Sequence, residues 1–175
     1  MTSDQIKSLM KKAGLHSYQS TPEEDICLVK WWIQLRANSE YNILFDNIGI
    51  LSFFKRICPP TIFLYSVDDV DILTFACWFE PMSLGAQMSY WVSKDARASK
   101  ISVMRLAHSY QIGLSEWPVL LTASSNQRHL TRLVEFGHVE LGIIPGFTKD
   151  DKTLTYITRS GFRRGTLGEG GHKDG

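Results

Sequence analysis

The spacing of apolar residues predicts helices in the first third of the chain. Apolar side chains recur three and four positions apart in residues 3–14, which indicates a short amphipathic helix. Residues 21–38 begin with Thr-Pro-Glu-Glu, which combines an N-cap, a proline at the first helical position and a capping-box glutamate. This pattern predicts a second helix over that range. Residues 48–57 fit a helix or a strand, and we favour a helix that the following proline pair terminates.

The middle of the chain predicts an antiparallel meander. Three runs rich in β-branched and aromatic residues lie at residues 61–67, 71–80 and 86–93. The segments between them hold acidic residues, proline and glycine, which are typical of turns. Because these connections are short, we expect consecutive strands to pair in an antiparallel manner.

The second half of the chain alternates helices and strands. We expect a helix at 98–111, a strand at 118–122, a helix that ends near residue 137, and strands at 138–144 and 153–159. In the first of these helices we expect Ile101 to be buried and Gly113 to be the stop. In the second we expect Val134 to be buried and Gly137 to be a left-handed C-cap.

These elements predict an α+β fold of the α/β-sandwich type, divided into three parts. Residues 1–20 form an N-terminal helical extension, and the pattern leaves open whether this segment docks on the domain or extends from it. Residues 21–160 form the domain itself. Residues 161–175 are rich in glycine and poor in apolar side chains, which predicts a flexible tail.

Composition excludes several classes of protein. The 175 residues, 43% of them hydrophobic, are enough for one domain with its own core. The 19 basic residues nearly balance the 18 acidic ones, so bulk charge gives no support to nucleic-acid or membrane binding. The three widely spaced cysteines suit reduced thiols, and no Cys/His spacing predicts a metal site. With no signal peptide or membrane-length apolar run, we expect a soluble cytoplasmic protein.

The segment SSNQRHLTRLVEFG, residues 124–137, carries the most specific motif. It places Asn126 after the fifth strand of the domain, Arg128 two positions later and Gly137 eleven positions after the asparagine. With this motif, residues 20–160 resemble the GNAT family, the acyl-CoA-dependent N-acyltransferases. The resemblance implies a mixed, mostly antiparallel sheet flanked by helices. It also implies that splayed central strands bind the pantetheine arm of acetyl-CoA, with the pyrophosphate at a helix N-terminus.

The resemblance places the cofactor near the loop SKDARASKIS, residues 93–102. The implied cofactor-binding residues are Val92, Arg97, Ala98, Lys100, Ser102 and Asn126. The usual family loop carries small residues that let the backbone approach the phosphates, but Lys100 and Ser102 stand at those positions here. Any phosphate binding would therefore depend on the charges of Lys94, Arg97 and Lys100.

The catalytic positions also depart from the family pattern. The fourth strand of the domain contains no carboxylate, so the candidates are Tyr90 on that strand and Glu80 at the end of the strand before it. The usual tyrosine position, seven residues after the motif asparagine, holds Leu133, which cannot donate a proton. Tyr110 and Tyr156 are the remaining substitutes.

These departures favour a GNAT-like scaffold with a degraded acyl-CoA site. Its character is similar to that of eroded GNAT-like proteins of tailed phages, which implies a virion or interaction component in the host cytoplasm or the virion. The implied protein partners would bind through the tail and exposed aromatic residues. The alternative is a divergent, active N-acetyltransferase in which Arg97 and Lys100 hold acetyl-CoA. A nucleic-acid role for residues 128–132 and 159–164 finds no support in the net charge.

Overall fold

The computed structural model describes residues 1–37, 49–96, 99–145 and 151–163, except for the side chains of Ile50, Phe54 and Arg56. The described helices are α1 (Ser3–Ala13), α2 (Pro22–Arg36), α3 (Ile50–Ile57), α4 (Lys100–Glu116) and α5 (Gln127–Glu135). The described strands are β1 (His16–Ser17), β2 (Ile62–Val67), β3 (Leu73–Met82), β4 (Gly85–Val92), β5 (Val119–Ser124), β6 (Val139–Ile144) and β7 (Lys152–Thr158). A 3-10 turn, Lys94–Ala96, lies between β4 and α4.

The seven strands form one sheet in the order β1-β2-β3-β4-β5-β7-β6. All neighbouring strands pair in an antiparallel manner except β4 and β5, which run parallel. Strands β2, β3 and β4 form the predicted meander. The mixed, mostly antiparallel sheet flanked by helices is therefore confirmed.

The sheet separates two hydrophobic cores because successive strand residues point to opposite faces. Helices α2 and α3 cover one face, which we call the aromatic face; its large rings belong to Tyr18, Trp31, Phe53, Phe63, Tyr65, Trp78 and Trp91. Helices α1, α4 and α5 cover the other, which we call the fork face; its buried residues include Phe75, Phe79, Met88, Leu106, Tyr110, Leu120, Leu133 and Phe136. The strand β3 shows the alternation, with Trp78 on the aromatic face and Phe79 on the fork face.

Local sequence signals account for several element ends. Thr21 and Glu24 form the predicted capping box at the start of α2. The helix favoured at 48–57 is confirmed as α3, and the predicted end of α2 at Asn38 lies outside the described residues. Gly137 has a φ of 98°, and its N–H donates to the carbonyl of Val134 at 2.9 Å, which confirms the predicted C-cap of α5.

Two predictions for the helices after the meander are wrong. Gly113 does not end α4, which continues to Glu116; a Cβ at Gly113 would overlap the ring of Phe79, so this glycine allows the helix to approach β3 closely. Ile101 and Val134 are 53% and 58% exposed rather than buried. The buried face of α4 includes small polar residues, so apolar spacing alone does not mark it.

The first and the last described segments of the chain both contact the fork face. Ala13 and Leu15 lie in its core, and the Arg105 Nε of α4 donates to the Ala13 carbonyl at 3.0 Å, at the C-terminus of α1. At the other end, Phe162 stacks on Phe136 with parallel rings whose centroids are 6.3 Å apart. The segment 1–20 therefore docks on the domain. No described helix has both the length and the apolar character needed to cross a bilayer.

Candidate functional site

The two central strands of the sheet form a fork. Strands β4 and β5 pair at Ala86↔Leu120 and Gln87↔Leu121, after which each strand continues without pairing to the other. At the closed end, a Cβ on Gly85 would overlap the carbonyl oxygen of Val119, so only glycine permits this approach. Because the strands run parallel, their diverging ends lie at one edge of the sheet, where α4 and α5 begin.

The open arm of β4 directs main-chain groups into the fork. The Thr122 hydroxyl of β5 donates to the Met88 carbonyl at 3.3 Å, whereas the Ser93 N–H donates in the opposite direction, to the Thr74 carbonyl of β3 at 3.1 Å. Because strand residues alternate in the side to which their N–H and C=O groups point, Met88, Tyr90 and Val92 turn these groups toward β5.

A chain of buried polar side chains lies beneath the fork. The Tyr110 hydroxyl is 2.9 Å from His138 Nε2, and the Thr155 hydroxyl is 3.0 Å from His138 Nδ1. The Thr155 hydroxyl donates its proton to the Thr122 carbonyl at 3.1 Å. Thr155 therefore accepts from His138 Nδ1–H, which leaves Nε2 to accept the proton of Tyr110. These contacts join α4, β5, β7 and the residue before β6.

Burial keeps this chain neutral. It lowers the pKa of His138 to about 3, with a further contribution from the charge of His129. Burial also raises the pKa of Tyr110 well above its ordinary value, with smaller contributions from Tyr90 and Cys77. Near pH 7 the imidazole is therefore uncharged and the phenol keeps its proton, so the direction of donation along the chain is fixed.

His129, in the first turn of α5, bridges the two arms of the fork. Its Nδ1 is 2.9 Å from the Ser124 hydroxyl at the end of β5, and its ring packs edge-on against Tyr90 of β4 with centroids 4.8 Å apart. Burial, followed by the charge of Arg132, lowers the pKa of His129 to about 4. Its Nε2 is buried and has no hydrogen-bond partner among the described residues, an arrangement that costs about 1–3 kcal/mol.

The structure places part of the predicted cofactor set at the open end of the fork. Val92 is the last residue of β4, and Lys100 is the exposed first residue of α4. Arg97 and Ala98, between them in the chain, lie outside the described residues.

Ser102 and Asn126 use their side chains for local structure. The Ser102 hydroxyl donates to the Ala96 carbonyl at 2.8 Å, which ties α4 to the preceding turn. Ser99, which the sequence did not single out, is the N-cap of α4. Asn126 is the N-cap of α5, and its Oδ1 accepts the backbone N–H groups of Arg128 and His129 at 3.0 and 3.3 Å.

The predicted catalytic candidates do not converge. Tyr90 packs on the fork face, but Glu80 follows Trp78 on the aromatic face and accepts its Nε1–H at 3.2 Å. Leu133, in the tyrosine position that the resemblance implies, is completely buried in the fork-face core. Four residues of the site were not predicted from the sequence: Thr122, Thr155, His129 and His138. The available signal was threonines within strands and histidines at helix ends.

Comparisons with known proteins agree on the fold. No protein-family model matches the sequence, and no curated protein matches it. Among solved structures, an aminoglycoside 6'-acetyltransferase type Ii is similar with a TM-score of 0.66 at 12% identity, over 82% of this chain and 96% of that one. A spermidine N-acetyltransferase from Vibrio cholerae, in complex with CoA and spermine, is similar with a TM-score of 0.61 at 14% identity, over 85% and 98%. The GNAT-like fold predicted from the sequence is therefore confirmed.

Proposed function

We propose that this chain is an acyl-CoA-dependent N-acyltransferase of divergent type, which takes its thioester donor into the fork between β4 and β5. The observation that carries this proposal is the parting of the two strands after two residue pairs, above a set of buried polar side chains. A sheet held together for stability alone has no need of polar groups at that point, because burying them costs free energy unless every one is paired.

The fork suits an extended, amide-containing ligand such as the pantetheine arm of CoA. The main-chain groups that β4 turns toward β5 lie at strand spacing, which matches the spacing of amides along an extended chain. A solved structure of the same fold contains CoA. At the mouth of the fork, the described part of this segment exposes two lysines, Lys94 and Lys100, and one carboxylate, that of Asp95, so positive charge is in excess there. Charge would thus hold the phosphates where loop glycines are missing.

The reaction that such a site supports is acyl transfer to an amine. The amine nitrogen attacks the thioester carbonyl carbon, the C–S bond breaks, and an amide and the CoA thiol are the products. Holding the thioester in the fork next to a bound amine supplies proximity and orientation, which are worth orders of magnitude in rate.

Calorimetric titration of the purified protein with acetyl-CoA tests the proposal. We expect binding with a Kd of about 1 mM or tighter. Lys100→Glu should weaken binding about tenfold, since it reverses a charge beside the phosphates. Lys7→Glu is the matched control. It makes an equal charge reversal at an exposed side chain of α1 and should leave the Kd unchanged. No heat at millimolar acetyl-CoA, with folded protein, would contradict the proposal.

The second candidate is a GNAT-like scaffold in an assembly, including a phage virion. Two observations favour it: Leu133 stands where a proton donor was expected, and α2 exposes an apolar stripe of Ile26, Val29 and Ile33. These three residues are spaced like one face of a helix and point away from the core. The scaffold predicts no acetyl-CoA binding, so the same titration separates the two candidates.

A further inference from the structure

We propose that His129 Nε2 carries the proton during acyl transfer in this protein, in place of the tyrosine that Leu133 replaces. This inference rests on the proposed N-acyltransferase function and names the residue that would perform its proton transfer. Three features of His129 support it: its place on α5, its contacts with both arms of the fork, and the unpartnered state of Nε2.

The place on α5 is one turn nearer the helix N-terminus than Leu133. Residues four positions apart on a helix lie on the same face. His129 therefore projects from the same face of α5 as the position that the family uses for its tyrosine, and it lies closer to the ends of the strands. The leucine packs in the core, whereas the imidazole reaches the fork.

The contacts of the ring fix its position across the fork. The hydrogen bond between Nδ1 and the Ser124 hydroxyl anchors it to β5, and the edge-on contact with Tyr90 anchors it to β4. A ligand arm lying between the strands would pass beside this ring. The buried Nε2 then has a partner only when a ligand supplies one.

The surroundings of His129 keep it neutral before reaction. Arg132 lies on the same helix, Tyr90 contacts the ring from β4, and His138 is close enough for His129 to lower its pKa. Burial and Arg132 lower its pKa to about 4. The proposed role requires the tautomer whose Nδ1–H donates to the Ser124 hydroxyl, because Nε2 then holds a free lone pair near neutral pH.

The proton balance needs no other group. As the amine nitrogen bonds to the thioester carbon, its proton moves to His129 Nε2. As the C–S bond breaks, the imidazolium returns that proton to the departing thiolate. The products are the amide and the CoA thiol, and His129 ends as it began.

The first test measures binding and turnover in the same variants. His129→Gln should leave the Kd for acetyl-CoA within about twofold and slow CoA thiol release to primary amines, with spermidine as one probe, by about 100-fold. His108→Gln is the matched control, since this imidazole bonds within its own helix through the Met104 carbonyl and should change neither value. Unchanged thiol release in His129→Gln, with acetyl-CoA bound, would overturn the role of His129 alone. Absence of binding in the wild type would instead overturn the proposed function and this role with it.

The second test adds a readout, the His129 resonance, that does not depend on the acceptor. Imidazole nitrogens in 15N-histidine-labelled protein should show a shift of His129 Nε2 when CoA is added, and free imidazole should restore thiol release to His129→Ala. An unchanged His129 resonance with CoA bound overturns the proposal, as does failure of imidazole to rescue a binding-competent variant. If the wild type releases no thiol with any amine tried, the change in the His129 resonance on addition of CoA alone tests the proposal.

Discussion

The two faces of the sheet are covered by helices in similar ways but are built from different chemistry. The aromatic face packs large rings against one another, as in the stack of Phe63 on Trp78 with centroids 6.2 Å apart. The fork face buries hydroxyls and imidazoles among its apolar side chains, in the chain from Tyr110 through His138 to Thr155. Ring packing stabilises a domain without demanding exact partners, whereas a buried polar chain is stable only if every member is satisfied. The fork face therefore differs from the aromatic face in burying the His138 imidazole, which needs a partner at each ring nitrogen.

The largest expected effect comes from the aromatic face. Trp31→Ala should destabilise the protein by about 3–5 kcal/mol, since the ring is fully buried against Tyr65. Urea unfolding measures this loss. The neighbouring Trp32, which is only half-buried and lies beside Arg36, is the matched control, and Trp32→Ala should cost clearly less. Equal losses in the two variants would mean that the aromatic core is not the dominant packing unit.

Acidification should act on the fork face. The pKa of His129 in the folded protein is about 4, below the ordinary 6.5, so stability is complete above about pH 6.5 and falls as pH decreases toward 4. The unfolded chain takes up the proton at a higher pH than the folded protein does. For this residue, the free energy of unfolding is therefore lower by about 3 kcal/mol at pH 4. His138, with a pKa of about 3, adds to the loss. Urea midpoints between pH 7 and pH 4.5 measure the effect.

A histidine variant sharpens the pH comparison. His129→Gln should flatten the fall in stability between pH 7 and pH 4.5, because it removes the imidazole whose pKa is lowered on folding. A curve for His129→Gln that overlays the wild type would show that the fork-face imidazole is not the source of the dependence.

Breaking the polar chain should give an intermediate effect. Tyr110→Phe removes the donor to His138 Nε2 and should destabilise by about 1–3 kcal/mol, since a buried acceptor loses its partner. His138→Leu combined with Tyr110→Phe should cost less than the sum of the two single changes. A double-mutant cycle of urea unfolding measures the coupling. Strict additivity would mean that the two side chains do not act together.

The smallest effect is expected on the exposed stripe of α2. Ile26→Gln and Ile33→Gln should change stability by less than about 0.5 kcal/mol, because neither side chain is buried. Thermal unfolding measures this. A larger loss would show that the stripe is covered within the protein itself and would remove one support of the scaffold candidate.

The sequence predicted what is decided locally. The capping box at Thr21 and the C-cap at Gly137 involve residues within a few positions of each other, and the helix at residues 50–57 has a clear apolar face. The mixed sheet followed from the order of these elements together with the family resemblance. Such features depend on chain neighbours and can be found in a linear pattern.

The sequence could not predict what is decided by distant contacts. His138 meets Tyr110 across 28 positions and Thr155 across 17, and Thr155 meets Thr122 across 33. Each residue is ordinary in its own segment, and only the packed sheet brings them together. Gly113 illustrates the same limit, since its role depends on a ring in β3.

The glycine at the closed end of the fork, Gly85, determines how the gap between β4 and β5 can be altered. Because no side chain fits against the Val119 carbonyl, the close contact between β4 and β5 at the closed end depends on this glycine. Substitutions beyond the paired residues, at Met88, Tyr90 or Thr122, would change the open part of the fork and leave the contact at its closed end in place. A ligand in the fork would therefore bind at a set distance from the closed end, where Gly85 lies about 16 Å from Tyr90 at the ordinary rise of a strand.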